Sequence, residues 1–221
     1  MKDHPNKDFP KKETVVDDFL SYMYRHRESF TKEEFERRME YGKEVLEQYY
    51  TKRINGFNKI VSVERNIRNV MVDGVPLKGK IDKMEFDGHF VNVVDYKTGN
   101  PDNATKKLKN PTIDPPNGGD YWRQAVFYKI LIDNNEQGKY QVRSTEFDFI
   151  EPNAKKEIKS QKVEISKEDT DLVREQIVSV WEKIQEREFY KGCGKEDCHW
   201  CNFVKTNKLE VAETEEEDQL I

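Results

Sequence analysis

The sequence predicts an α/β fold in which a mixed central sheet is flanked by helices. Three observations point to it. Between residues 59 and 96, runs of strand-forming residues are separated by Asp73-Gly74 and Asp87-Gly88, the kind of dipeptide that most strongly favours a two-residue hairpin turn. Apolar residues recur at helical spacing before that stretch and again after residue 120. Two further segments rich in β-formers, 140–150 and 156–165, follow the second helical region. With 221 residues, 35% apolar and 11% aromatic, the chain can bury one sizeable core.

Residues 1–12 are polar, contain two prolines and read as a linker or disordered entry to a single domain spanning 13–206. From residue 14 to about 27, Val15, Val16, Phe19, Leu20, Tyr22 and Met23 fall at helical spacing. Thr31 opens a second helix through a Thr-Lys-Glu-Glu capping box. That helix runs to about residue 51, with Phe35, Met39, Leu46 and Tyr49 or Tyr50 on its buried stripe. A three-stranded meander follows over roughly 59–72, 75–86 and 89–96. Residues 100–119 hold four prolines, two adjacent glycines and Lys106, Lys107 and Lys109, which describes a long exposed loop. Asp120 is expected to cap a helix reaching about residue 133, and the strands 140–150 and 156–165 come next. Ser166 begins a last long helix with Leu172, Ile177, Val180, Trp181 and Ile184 at core spacing, ending near Tyr190-Lys191-Gly192. Residues 207–221 read as an acidic disordered tail.

Charged residues make up 37% of the chain with both signs interspersed, as on a heavily solvated surface. Six acidic residues and no basic ones lie between 210 and 221, so the net charge of −5 becomes +1 over residues 1–209. The acidic total therefore does not argue against a polyanionic partner. No apolar run is long enough to cross a bilayer, and the first residues lack the apolar region of a signal peptide, so a cytoplasmic protein without a membrane partner is expected. Cys193, Cys198 and Cys201 lie within nine residues of one another. In a reducing compartment that clustering suggests metal or thiol chemistry rather than a disulfide framework.

The chemistry concentrates on the meander. Gly79-Lys80-Ile81-Asp82 on one strand faces Val93-Val94-Asp95-Tyr96-Lys97-Thr98-Gly99 on the next. Asp95 and Lys97 are two apart and share a strand face, and an antiparallel neighbour brings Asp82 beside them. Two carboxylates and a lysine suit a hydrated divalent cation such as Mg²⁺. The competing reading is a cross-strand ion pair. It fits Asp82 but fits Asp95 poorly, since Asp95 follows Val91, Val93 and Val94 into a strand where a lone charge is disfavoured. Gln124 and Tyr128 lie four apart on one face of the helix after the loop, where a solvated glutamine and a core tyrosine are the bland alternatives.

Together, Gly79-Lys80-Ile81-Asp82, Asp95-Tyr96-Lys97-Thr98-Gly99 and Gln124-Ala125-Val126-Phe127-Tyr128 resemble the G-x-I-D, D-Y-K-T-G and Q-x-x-x-Y motifs of the RecB-like PD-(D/E)XK nucleases, over about residues 32–203. The resemblance implies a restriction-endonuclease-like core and phosphodiester hydrolysis. It implies that Asp82 and Asp95 bind Mg²⁺ or Mn²⁺, that Lys97 assists the attacking water, and that Gln124 and Tyr128 contact DNA or buttress the lysine. It also implies the C-terminal nuclease domain of a UvrD/RecB-type helicase-nuclease working in DNA repair or recombination, with helicase domains in the same or a partner chain. No phosphate-cradling glycine loop occurs, so no ATPase is expected within the segment.

The sequence departs from the family where many members carry a metal-binding histidine before the first strand: residues 41–48 contain none. Glu44, Glu47 or Glu64 is the candidate third oxygen ligand. Related nucleases hold an iron-sulfur cluster with three C-terminal cysteines and a distant N-terminal one, but no cysteine precedes Cys193 here, so an iron-sulfur cluster or zinc needs another ligand. For substrate, Lys106, Lys107, Lys109 and Arg123 combine with Tyr121 and Trp122 as expected for single-stranded or end-bearing DNA. The rival function is a nuclease-fold DNA-binding module of a helicase complex without catalysis; a protein-docking domain organised by the cysteines is a third.

Overall fold

The computed structural model describes residues 8–113, 117–188, 192 and 196–206. Its helices are α1 (Lys12–Arg25), α2 (Lys32–Arg53), α3 (Asp120–Asp133), α4 (Lys167–Gln185) and α5 (His199–Thr206). Its strands are β1 (Val61–Val72), β2 (Val75–Asp87), β3 (Phe90–Lys97), β4 (Gln141–Phe149) and β5 (Ser160–Val163), forming one sheet in the order β1-β2-β3-β4-β5. The pairs β1–β2, β2–β3 and β4–β5 are antiparallel, and β3–β4 is parallel, joined through α3. This is the mixed sheet with flanking helices that the sequence predicts. The chain divides into two compact units, Met1–Arg174 and Glu175–Ile221; the sheet and α1–α3 belong to the first.

The meander forms because its turns supply left-handed backbone. Asp73 and Gly74 have φ of 50° and 80°, as a type I′ turn requires at both central positions. The second turn sits one residue later than expected, at Gly88-His89. Asp87 still pairs with Phe90, and Gly88 takes the positive φ. Thr31 caps α2 as expected: its Oγ1 accepts from the Glu34 N–H at 3.3 Å, and the Glu34 carboxylate accepts from the Thr31 N–H at 3.1 Å. Asp120 is not the cap of α3. Gly119 occupies that position, and the Lys107 carbonyl accepts from the N–H groups of Tyr121 and Trp122, so the basic loop itself closes the end of the helix. The loop is also less irregular than expected, with a 3-10 turn over Pro101–Ala104.

The α1–α2 hairpin is tight, with the Phe19 ring lying where a Cβ on residue 42 would be, so Gly42 permits the approach. From this hairpin α2 reaches one sheet face through Tyr49 and Arg53. The opposite face is covered by α3, whose Trp122, Ala125, Val126 and Leu131 are fully buried. Pairing of β2 with β3 runs only from Asp87 to Lys83. Beyond that point the β1–β2 ribbon turns toward α3: Leu131 packs on Gly79, and Arg65 pairs with Glu136 just after α3 at 2.7 Å. Asp82 stands at this departure.

Two expectations at the C-terminal end are corrected. The last long helix stops at Gln185, because Arg187 turns left-handed (φ 57°) and the Glu188 N–H folds back to the Lys183 carbonyl. Val180 and Ile184, read as core, are exposed, and Val173 is the buried residue of α4. The short helix α5 was not expected at all, its eight residues being masked in the sequence by the cysteine group.

Candidate active site

Where β3 ends, a closed polar network joins it to α3. The Tyr128 hydroxyl donates to Asp95 Oδ1 at 2.6 Å, and Gln124 Nε2 donates to the same oxygen at 2.9 Å. Gln124 Oε1 accepts from Lys97 Nζ at 2.8 Å, and that ammonium lies 2.7 Å from Asp95 Oδ2. The network fixes the glutamine's orientation, its oxygen toward the cation and its nitrogen toward the anion. Gln124 and Tyr128 are one helical turn apart, so a single face of α3 delivers both groups to one carboxylate.

The electrostatics follow from burial. Asp95 is 3% exposed. Burial first, and then the bond to Asp95, push the Tyr128 phenol above its ordinary range, so it remains a protonated donor. Asp82 adds to that rise, which places its charge near the same hydroxyl. One step past the last β2–β3 pair, Asp82 Oδ2 accepts the Tyr96 N–H at 3.0 Å, so a side chain replaces the partner strand at the point where the ladder opens. Lys97 Nζ also lies 4.6 Å from the centre of the Tyr121 ring and 5.3 Å from that of Phe147. Aromatic faces thus complete its enclosure.

The structure therefore gathers Asp82, Asp95, Lys97, Gln124 and Tyr128 in one place. The other candidates lie outside this network. Glu64 has a left-handed backbone (φ 51°), is exposed and forms an ion pair with Lys80. Glu44 accepts from Gln48 on α2, and with Glu47 lines a surface cleft shared with Lys12, Thr51 and Lys156. Lys106, Lys107 and Lys109 are exposed, with Lys107 Nζ 5.0 Å from the centre of the Tyr121 ring that Lys97 also faces, and Arg123 is bonded to Asp120 of its own helix at 2.5 Å. Cys198 precedes α5 and Cys201 lies within it, in the second unit; Cys193 falls outside the described residues. Among the described residues, no group of three or more His, Cys, Asp or Glu side chains could hold a metal ion. Any cation here would rest on the two carboxylates and water. The donor set fits that arrangement: Asp95 Oδ2 is buried and, although beside the Lys97 ammonium, is aligned with no hydrogen-bond donor.

Sequence reasoning passed over a second cluster on the other sheet face. Asp148, 6% exposed, accepts from Arg53 Nη2 at 2.8 Å through Oδ1 and from the Tyr49 hydroxyl through Oδ2. Lys83 lies nearby, donating to Tyr96 and paired with Glu85 at 2.8 Å. Burial raises the pKa of Asp148 against the pull of Tyr49 and Arg53. Glu151 was also missed: its two oxygens accept from the Gly99 N–H and the Tyr41 hydroxyl, both at 2.6 Å, anchoring the turn after Lys97.

The sequence matches the PD-(D/E)XK nuclease superfamily over residues 2–206. No curated protein matches it. Among solved structures, it is similar to a candidate exonuclease of Eubacterium rectale at 14% identity and a TM-score of 0.48, over 94% of this chain and 77% of that one. It is also similar to the protein SSO0001 at 15% identity and a TM-score of 0.35, over 75% and 86% of the two chains. Likenesses at this level carry no argument about activity. No helix among the described residues is long and apolar enough to cross a membrane.

Proposed function

The chain belongs to the PD-(D/E)XK nuclease superfamily, and from that premise we propose that it is a Mg²⁺- or Mn²⁺-dependent deoxyribonuclease of the RecB-like branch. In this reading it serves as the nuclease part of a helicase-nuclease in DNA repair or recombination. The motifs G-x-I-D, D-Y-K-T-G and Q-x-x-x-Y support the branch. The observation that carries the activity is the buried Asp95 network, in which both aligned donors fall on Oδ1 and leave Oδ2 with the Lys97 ammonium alone, beside the point where Asp82 leaves the β2–β3 ladder.

Asp82 and Asp95 would hold the ion, which when bound supplies Lewis-acid polarisation of the phosphate and a more acidic water. Lys97, held by Gln124 Oε1, orients the attacking water and opposes charge developing on the phosphoryl oxygens. Gln124 and Tyr128 are positioning residues: they lock the Asp95 carboxylate in one orientation, so that Oδ2 rather than Oδ1 faces the reaction. Tyr121 and Phe147 shield the ammonium from bulk water. The exposed Lys106, Lys107 and Lys109 draw in the polyanion.

The test is incubation of labelled single- and double-stranded DNA with the chain in Mn²⁺, in Mg²⁺ and in EDTA, alongside Asp95→Ala. Mn²⁺ binding by wild type and Asp95→Asn is followed separately by electron paramagnetic resonance. Metal-dependent cleavage and Mn²⁺ binding, both lost in the variants, are expected. If wild type and Asp95→Ala bind DNA equally and leave it intact, the chain is a binding module.

A further inference from the structure

We propose that the cleft between residues 101–109 and the start of β5 receives one nucleotide of a single DNA strand, with its phosphate between Lys109 and Lys159. This rests on the nuclease reading above and gives the substrate strand a direction across the sheet. The cleft has a volume of about 370 Å³ and is lined by Thr105, Leu108, Lys109, Phe149, Lys159 and Ser160 among others. That is the size of a pocket for one small ligand and far too narrow for a duplex.

Its position follows from strand register. Lys97 pairs with Phe149 across the parallel β3–β4 ladder, and the Phe149 N–H donates to the Lys159 carbonyl at 3.0 Å. Lys97, Phe149 and Lys159 therefore stand side by side on three adjacent chain segments, on the face that carries Asp95. Two ammonium groups are thereby mounted on backbones about 10 Å apart, two strand spacings, with an aromatic floor between them. Tyr121 links the two ends, its ring centre 6.5 Å from that of Phe149 and 4.6 Å from Lys97 Nζ. Apolar floors bordered by cations are what a single strand needs, for its sugars and bases and for its phosphates respectively.

Lys159 is available for this. It is half-exposed, and its partners are loose, Asp102 at 3.8 Å and Glu157 at 3.6 Å. Exposed pairs of that length contribute little and yield to a phosphate. Thr105 and Ser160 add hydroxyls on the two walls. Asp102 also lines the cleft, so the same site carries a built-in opponent of anion binding.

The experiment measures binding of a fluorescein-labelled 12-nucleotide oligothymidylate in EDTA, by anisotropy over a salt series. Lys159→Glu and Lys109→Glu should each weaken binding about tenfold at 0.1 M salt and lower the slope of log K against log salt by about 0.7. Lys159→Gln should weaken it less, and Asp102→Asn should tighten it about threefold. Lys32→Glu, the same charge change on α2, should leave affinity unchanged. Circular dichroism verifies folding of each variant. The proposal is overturned if wild type does not bind, if the cleft variants bind like wild type, or if Lys32→Glu weakens binding as much as they do. The outcomes separate from the activity: cleft-dependent binding without cleavage in Mn²⁺ sinks the nuclease reading alone, and cleavage indifferent to Lys109 and Lys159 sinks the cleft alone.

Discussion

Two buried aspartates on neighbouring strands, Asp95 and Asp148, face opposite sides of one sheet and are built from nearly the same parts. Each has a tyrosine hydroxyl (Tyr128 or Tyr49) and a cation (Lys97 or Arg53) within bonding reach. They differ in what is left over. Both oxygens of Asp148 are taken by aligned donors, so its coordination is complete. On Asp95 both donors crowd onto Oδ1, while Oδ2 meets an ammonium without an aligned bond. A carboxylate whose bonding is satisfied holds a fold together, and one left short is a place for chemistry. Composition alone does not separate the two; the distribution of donors over two oxygens does.

The sharpest way to break this contrast is to remove each acid. Asp95→Ala should lower DNA cleavage on the order of 10⁴-fold even at low temperature, where circular dichroism shows the variant folded. Asp148→Ala should cost about 3–5 kcal/mol of stability by stranding Arg53, with cleavage by the folded protein at low temperature retained. Cations come next. Lys97→Ala should slow cleavage roughly 10²–10³-fold, whereas Arg53→Ala should register in urea unfolding and not in turnover. The tyrosines give a smaller but cleaner pair. Tyr128→Phe should reduce cleavage or Mn²⁺ affinity about 10–100-fold, and Tyr49→Phe should cost about 1–3 kcal/mol of stability by leaving Asp148 Oδ2 unbonded.

The smallest effect is a pH dependence. The folded pKa of Asp148 lies above its unfolded value because of burial, so its contribution to stability is fullest below the unfolded pKa and declines as pH rises through the folded one. The stability of wild type relative to Asp148→Asn, from urea titrations, should therefore be greater at pH 4 than at pH 7. Tyr41, held up to about 12 by its bond to Glu151, should ionise late in an alkaline absorbance titration, and Tyr41→Phe should remove one tyrosine's worth of the absorbance change near that pH.

What the sequence shows of all this is uneven, for physical reasons. The meander and the α2 cap are local: a positive-φ dipeptide or a four-residue box acts on its own neighbours. The Asp95 network is legible because Asp95 and Lys97 share a strand face, and Gln124 and Tyr128 a helix face. The Asp148 network is not legible, because Tyr49 and Arg53 lie 99 and 95 residues away and only the packing of α2 brings them over. Likewise nothing local signals that Glu64 would turn away through a left-handed residue, or that Lys107 would lend its carbonyl to the end of α3.

Gly79 opens the G-x-I-D segment, three residues before Asp82, and its missing side chain is what lets the ribbon rest on α3: a Cβ there would come within 2.6 Å of Leu131, which is fully buried. The same helix carries Gln124 and Tyr128, so the distance between the two acids is calibrated by a contact remote from both. A methyl group added at that spot works as a shim, prying one jaw of the site from the other while every reactive atom stays in the chain.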